Sequence, residues 1–160
     1  MIDEQALPTE AATIALGTSI GRARPDNAAG CLITLSGELG AGKTTLVRSL
    51  LRCLGHRGPV PSPTYTLVES YELLDVPIHH VDLYRIADSA ELEFLGWSDL
   101  RAGLVIVEWP ERAPGLEESA DVAVSLRYAD HGRHVTVRGG SERGQQKGQY
   151  QQDLFQCPDD

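Results

Sequence analysis

The residues Gly37-Glu38-Leu39-Gly40-Ala41-Gly42-Lys43-Thr44 fit the pattern G-x-x-x-x-G-K-[ST] in full. The chemistry that this spacing serves is the holding of a phosphate chain. Glycines allow successive backbone N–H groups to turn inward around phosphate oxygens, and a helix starting at once behind them adds its positive end. In that arrangement Lys43 shares the charge of the β- and γ-phosphates, and the Thr44 hydroxyl ligates Mg²⁺. Nucleotide binding is the reading, and the residue types that achieve it run from Gly37 through Thr44.

A phosphate site of this kind also needs a carboxylate at the end of a neighbouring strand, to hold the metal or its water. Two are placed for it. Glu108 ends the apolar run Leu104-Val105-Ile106-Val107, and Asp82 ends Ile78-His79-His80-Val81. Pattern favours Glu108, and the division of roles between the two stays open. Lys43, Asp82 and Glu108 are therefore the candidate catalytic groups, and Thr44, Asp82 and Glu108 the candidate metal ligands. The segment Pro61-Ser62-Pro63-Thr64-Tyr65-Thr66 is either a switch loop offering the Ser62 and Thr64 hydroxyls, or a stiff proline turn. His79 and His80 are neighbours on a strand and point to opposite faces, so they do not clasp one metal together. Polar neighbours in the fold account for them. Arg85 and Arg112 read as exposed salt-bridging residues, and Trp109 as a ring packed beside the site.

The elements that must position these groups are legible as hydrophobic patterns. A helix is expected within Leu7 to Ala23, after a short lead, with Ala11, Ala12, Ile14 and Ala15 at helical spacing. Pro25-Asp26-Asn27 ends it. Cys31 to Leu35 has strand length, and Lys43 to Leu54 is an amphipathic helix with Gly55 at its C-terminal cap. Strands are expected over Tyr65 to Leu73, Pro77 to Leu83 and Leu104 to Glu108, with helical turns at Ala90 to Phe94 and Trp97 to Leu100. Val122 to Tyr128 and His134 to Arg138 alternate around a five-residue loop and form a closing β-hairpin.

Composition excludes several classes. In 160 residues, 14 Lys and Arg face 23 Asp and Glu, a net charge of −9 that disfavours independent binding to nucleic acid. No apolar run approaches the ~20 residues of a membrane-spanning helix. The opening Met1 to Gln5 is acidic and unlike a secretory signal. The three cysteines, Cys31, Cys53 and Cys157, have no metal-ligand spacing and are odd in number. A cytoplasmic chain is expected, with one domain over 1–138 and a polar, disordered tail over 139–160.

In order along the chain, Gly37 to Thr45, Ser62-Pro63-Thr64-Tyr65-Thr66-Leu67-Val68-Glu69, His80-Val81-Asp82-Leu83-Tyr84-Arg85, Glu91 to Gly96 and Val107-Glu108-Trp109-Pro110 together resemble the bacterial TsaE (YjeE) family. The resemblance spans roughly Leu7 to Arg138. It implies an α/β, three-layer P-loop NTPase fold with a mixed β-sheet, binding ATP or ADP with Mg²⁺. It matches Glu108 to the family's metal-site carboxylate, Asp82 to its Walker B position, and Arg133 to a residue near the nucleotide base. It further implies slow ATP hydrolysis in concert with the TsaB–TsaD heterodimer, which places threonylcarbamoyl on the adenosine beside the anticodon. The tRNA would then be met only through that complex. Two other readings remain beside this one: a small-molecule P-loop kinase, for which no arginine-rich lid is visible, and a nucleotide-gated binding module in which hydrolysis is incidental.

Overall fold

The computed structural model describes residues 2–139. The tail expected from 139 onward lies outside them, apart from Gly139, which closes the last strand. Among the described residues the chain forms β1 (Ile2–Leu7), α1 (Glu10–Arg22), β2 (Leu32–Ser36), α2 (Lys43–Cys53), β3 (Val68–Tyr71), β4 (Ile78–Asp82), α3 (Trp97–Leu100), β5 (Leu104–Glu108), β6 (Val122–Tyr128) and β7 (Arg133–Gly139). Short 3₁₀ turns occupy Ser89–Leu95 and Pro110–Arg112.

The strands lie in one mixed sheet of order β1-β7-β6-β2-β5-β4-β3. The inner strands β6, β2, β5 and β4 are mutually parallel, while β7, β1 and β3 join by antiparallel pairing. Two apolar cores, one on each face, make the three-layer α/β architecture. One joins Ile33, Leu35, Ile78 and Ile106 to Leu16, Ile20, Leu46 and Leu50 of the two long helices. The other joins Leu32, Val81, Val105 and Val107 to Ile86, Leu92 and Leu116 of the short turns. Alternation along β4 and β5 sends successive residues to opposite faces, so β5 reads as a continuous apolar run up to Glu108, while β4 carries His79 and His80 between Ile78 and Val81.

Parallel pairing fixes where chemistry can occur. The C-terminal ends of β2, β4, β5 and β6 share one edge of the sheet, and Asp82 sits in register with Glu108 there. Helix α2 starts at the same edge. Its far end closes as expected at Gly55, whose φ of 106° allows the Gly55 amide to reach the Arg52 carbonyl and the His56 amide to reach Leu51.

Several expectations need correction. The lead before the first helix is the edge strand β1, and α1 starts only at Glu10, capped by Thr9, whose hydroxyl accepts from the Ala12 amide. The first helix does not bury Ala11, Ile14 and Ala15. It buries Thr13, Leu16, Gly17, Ile20 and Gly21. Close approach to α2 decides this: a Cβ at Gly17 would lie 1.9 Å from the Ser49 hydroxyl and 2.4 Å from the Leu46 carbonyl oxygen. The strand expected from Tyr65 begins only at Val68, because Leu67 has a φ of 68° and its amide turns back to the Pro63 carbonyl.

Candidate functional site

The backbone of the glycine-rich loop sets the site. Gly40 and Gly42 have φ of 77° and 111°, a region that residues with a Cβ rarely adopt. Gly42 is the residue before α2, so the loop turns directly into the helix N-terminus. Beside it opens a cleft of about 400 Å³. Leu39, Gly40, Gly42, Lys43, Thr44 and Thr45 line it from the loop, Ser62 and Thr64 from the proline-rich segment, and Asp82 and Glu108 from the strand ends. Sequence-expected residues as far apart as Leu39 and Glu108 are thus brought to one opening. Gly37, Glu38 and Ala41 do not line it; Ala41 is buried and shapes the loop from behind.

Lys43 is almost wholly buried, and its ammonium donates to the Gly37 carbonyl. The ammonium also sits 3.7 Å from the centroid of the Trp109 ring. Burial pushes its pKa below the ordinary lysine value, while Glu108, Glu111 and Asp82 pull it back up. Trp109 reaches this place through an unusual backbone. Its φ of 58° and ψ of 49° turn the chain sharply after β5, a conformation that costs a bulky residue about 1–3 kcal/mol. Tyr84 also packs against the indole, tilted to it, with ring centroids 4.9 Å apart.

The two carboxylates have different surroundings. Asp82 accepts from the Tyr84 amide at 2.8 Å and from the Thr64 hydroxyl at 3.2 Å. Ser62 and Thr64 are themselves linked at 2.8 Å, so a chain of hydroxyls runs from the proline-rich segment to the end of β4. Glu108 instead lies 2.6 Å from the Nε2 of the fully buried His80. Thr44, Asp82 and Glu108 are the oxygen donors that could hold a divalent cation. Among the described residues no three His, Cys, Asp or Glu side chains gather to hold a metal by themselves.

The last hairpin grips the loop from its other flank. Tyr128 donates to the Leu39 carbonyl at 2.6 Å, and Arg133 donates to the Gly40 carbonyl at 3.1 Å. The Arg133 guanidinium lies over the Tyr128 ring, 4.3 Å from its centroid. Arg133 also borders a second hollow of about 280 Å³, which shares Gly40, Gly42 and Thr45 with the main cleft. Arg85 and Arg112 depart from the salt-bridging expected of them: they lie over the rings of Tyr65 and Tyr84, 5.7 and 5.6 Å from the centroids. Sequence patterns had no signal for Tyr128, Tyr84 or the role of His80. Tyr128 and His80 become visible only through pairing across strands, and Tyr84 only through its packing on Trp109.

A family profile described as "Threonylcarbamoyl adenosine biosynthesis protein TsaE" matches residues 7–135. A Haemophilus influenzae protein named tRNA threonylcarbamoyladenosine biosynthesis protein TsaE is 45% identical over 108 residues, covering 66% of this chain and 68% of the relative. A Streptomyces coelicolor protein of the same name is 43% identical over 126 residues, covering 72% of this chain and 84% of the relative. The crystal structure of Bacillus subtilis YdiB shares the fold, with a TM-score of 0.69 and 23% identity over 96% of this chain and 93% of that one.

Proposed function

The chain belongs to the TsaE family, and from that premise we propose that it is a magnesium-dependent ATPase serving threonylcarbamoyl modification of the adenosine next to the anticodon in tRNAs reading ANN codons. Its partner in this reading is the TsaB–TsaD heterodimer, which holds the tRNA. The acidic net charge of −9 suits that division of labour.

One observation carries the reading: the glycine-rich loop, Lys43, Thr44 and two strand-end carboxylates open onto a single cleft. The donor set supports a bound Mg²⁺. It offers oxygens alone, too few to cage an ion, and Mg²⁺ is commonly held by one or two carboxylates with substrate phosphates completing its shell. When bound, the ion supplies charge neutralisation at the phosphates. The protein's own groups then have distinct tasks. The loop amides and Lys43 bind the phosphate chain, with Lys43 leaving the Gly37 carbonyl to do so. Thr44 and Asp82 supply metal ligands, and the Thr64 hydroxyl ties Asp82 to the proline-rich segment. Glu108 orients the attacking water, and Trp109 with Tyr84 shields the γ-phosphate end from solvent. The second hollow, bordered by Arg133, is where the nucleoside extends. No described helix is long and apolar enough to cross a membrane.

The test measures ADP and ATP affinity by calorimetry with Mg²⁺, then ATP turnover with and without TsaB–TsaD. Micromolar or tighter binding and partner-stimulated turnover are expected. Absence of nucleotide affinity, or of both stimulation and complex formation, overturns the reading.

A further inference from the structure

His80 occupies a position that the apolar core would ordinarily claim. Along β4, Ile78, His80 and Asp82 share the face packed against α1 and α2, beside Leu104, Ile106 and Glu108 of β5. His80 is in register with Ile106, one step inward from the Asp82–Glu108 pair. It is 0% exposed, and its Nδ1 has no hydrogen-bond partner among the described residues. An aliphatic side chain would fill this row without stranding a polar atom. Among the described residues the imidazole's one hydrogen bond is from Nε2 to Glu108 Oε2, at 2.6 Å.

We propose that His80 is a positioning residue for Glu108, its Nε2–H holding Oε2 against the core so that Oε1 is the oxygen presented to the cleft. The inference rests on the role given above to Glu108. The physical need follows from the side chain. A glutamate has three rotatable torsions, and an unanchored carboxylate samples several placements of its oxygens. Asp82 is shorter and already fixed from two sides, by Thr64 and by the Tyr84 amide. Glu108 has no such pair of anchors, and a donor from the neighbouring strand supplies the missing one. The orphaned Nδ1 fits this arrangement: with Nε2 protonated as donor, Nδ1 carries only a lone pair, and among the described residues no donor reaches it.

Two variants separate positioning from packing. His80→Gln keeps an N–H donor within reach of Glu108, and His80→Met fills similar space without one. His80→Met should lower kcat by about 10- to 100-fold, the usual scale for losing an orienting partner, while affinity for a non-hydrolysable ATP analogue changes by less than about twofold. His80→Gln should restore most of kcat at a similar melting temperature. Equal losses of kcat in both variants, or no loss in His80→Met, overturn the proposal. A spectroscopic arm stands apart from turnover and from nucleotide. In ¹⁵N-histidine-labelled protein, His80 should show the neutral Nε2–H tautomer with a slowly exchanging proton, and that signal should move in Glu108→Gln. An Nδ1–H tautomer, or a signal indifferent to Glu108→Gln, overturns it. Should the unaltered protein show no ATP turnover even with its partner, the functional reading fails while the imidazole signal still judges the His80–Glu108 contact.

Discussion

Tyr128 and Leu39 are 89 residues apart in sequence, yet the Tyr128 hydroxyl donates to the Leu39 carbonyl at 2.6 Å. With Arg133 on the Gly40 carbonyl, this contact holds the peptide oxygens of the loop tip to the hairpin flank, clear of the phosphate cradle. A Cβ at Gly40 would lie 2.7 Å from the same hydroxyl, so the glycine is needed for the grip as well as for its positive φ.

Tyr128→Phe removes the hydroxyl and keeps the ring under Arg133. Nucleotide affinity is expected to fall by about 2- to 10-fold as the loop tip loosens, and stability by about 0.5–1.5 kcal/mol, the worth of one net hydrogen bond. Isothermal titration with ADP and Mg²⁺ measures it. An unaltered affinity would show that the hydroxyl follows the loop and does not hold it.

Gly17→Ala tests the helix pair. The added methyl meets the Leu46 carbonyl, a backbone atom that cannot turn aside, and crowds the Ser49 hydroxyl bonded to it. Overpacking of this kind costs about 1–3 kcal/mol, more than the helix propensity gained from alanine returns. Urea denaturation should show the loss with the slope of the transition preserved.

Lys43 links stability to pH. Its folded pKa lies below the ordinary value of 10.5, so between the two the unfolded chain binds more protons than the native one. The unaltered protein should therefore gain stability relative to Lys43→Met as pH rises toward 10.5, and hold a constant offset below the folded pKa. Paired melting curves from pH 7 to 11 would show it, and an offset flat across that range would contradict it. At neutral pH, Lys43→Met should also lose most nucleotide affinity, because a phosphate charge is left without its partner.

Glu108→Ala is expected to reduce ATP turnover by about 100- to 10,000-fold while nucleotide binding persists. The same variant distinguishes hydrolysis from gating. Loss of tRNA modification in cells carrying it supports a need for turnover; full modification would favour a module that only senses the bound nucleotide.

Much of this architecture was legible in the sequence because it rests on burial. The runs at β2 and β5, the amphipathic α2 and the alternating hairpin declare themselves through their apolar residues. Strand β1 does not: only Leu7 of its six residues is buried, and its place comes from backbone pairing with β7. Helix α1 misled for a related reason, since closeness to α2 favours Gly17 and Gly21 on its inner face over larger apolar side chains. At the site, the loop, both carboxylates and the Ser62–Thr64 segment could be named in advance because each carries its own chemistry. Tyr128 and His80 act through partners on other strands, and which strands are neighbours is not written in local pattern.

The strand order has a consequence for how the protein comes into being. β7 is the last described strand and lies between β1 and β6, so β1, synthesised before every other described strand, has no sheet partner until β7 emerges. The residues that brace the loop tip belong to the same late hairpin. A nascent chain that stops short of it would hold the glycine-rich motif complete in sequence but unbraced, and its earliest strand bare. Long-range closure of this kind slows folding, and it makes competence of the site coincide with completion of the sheet.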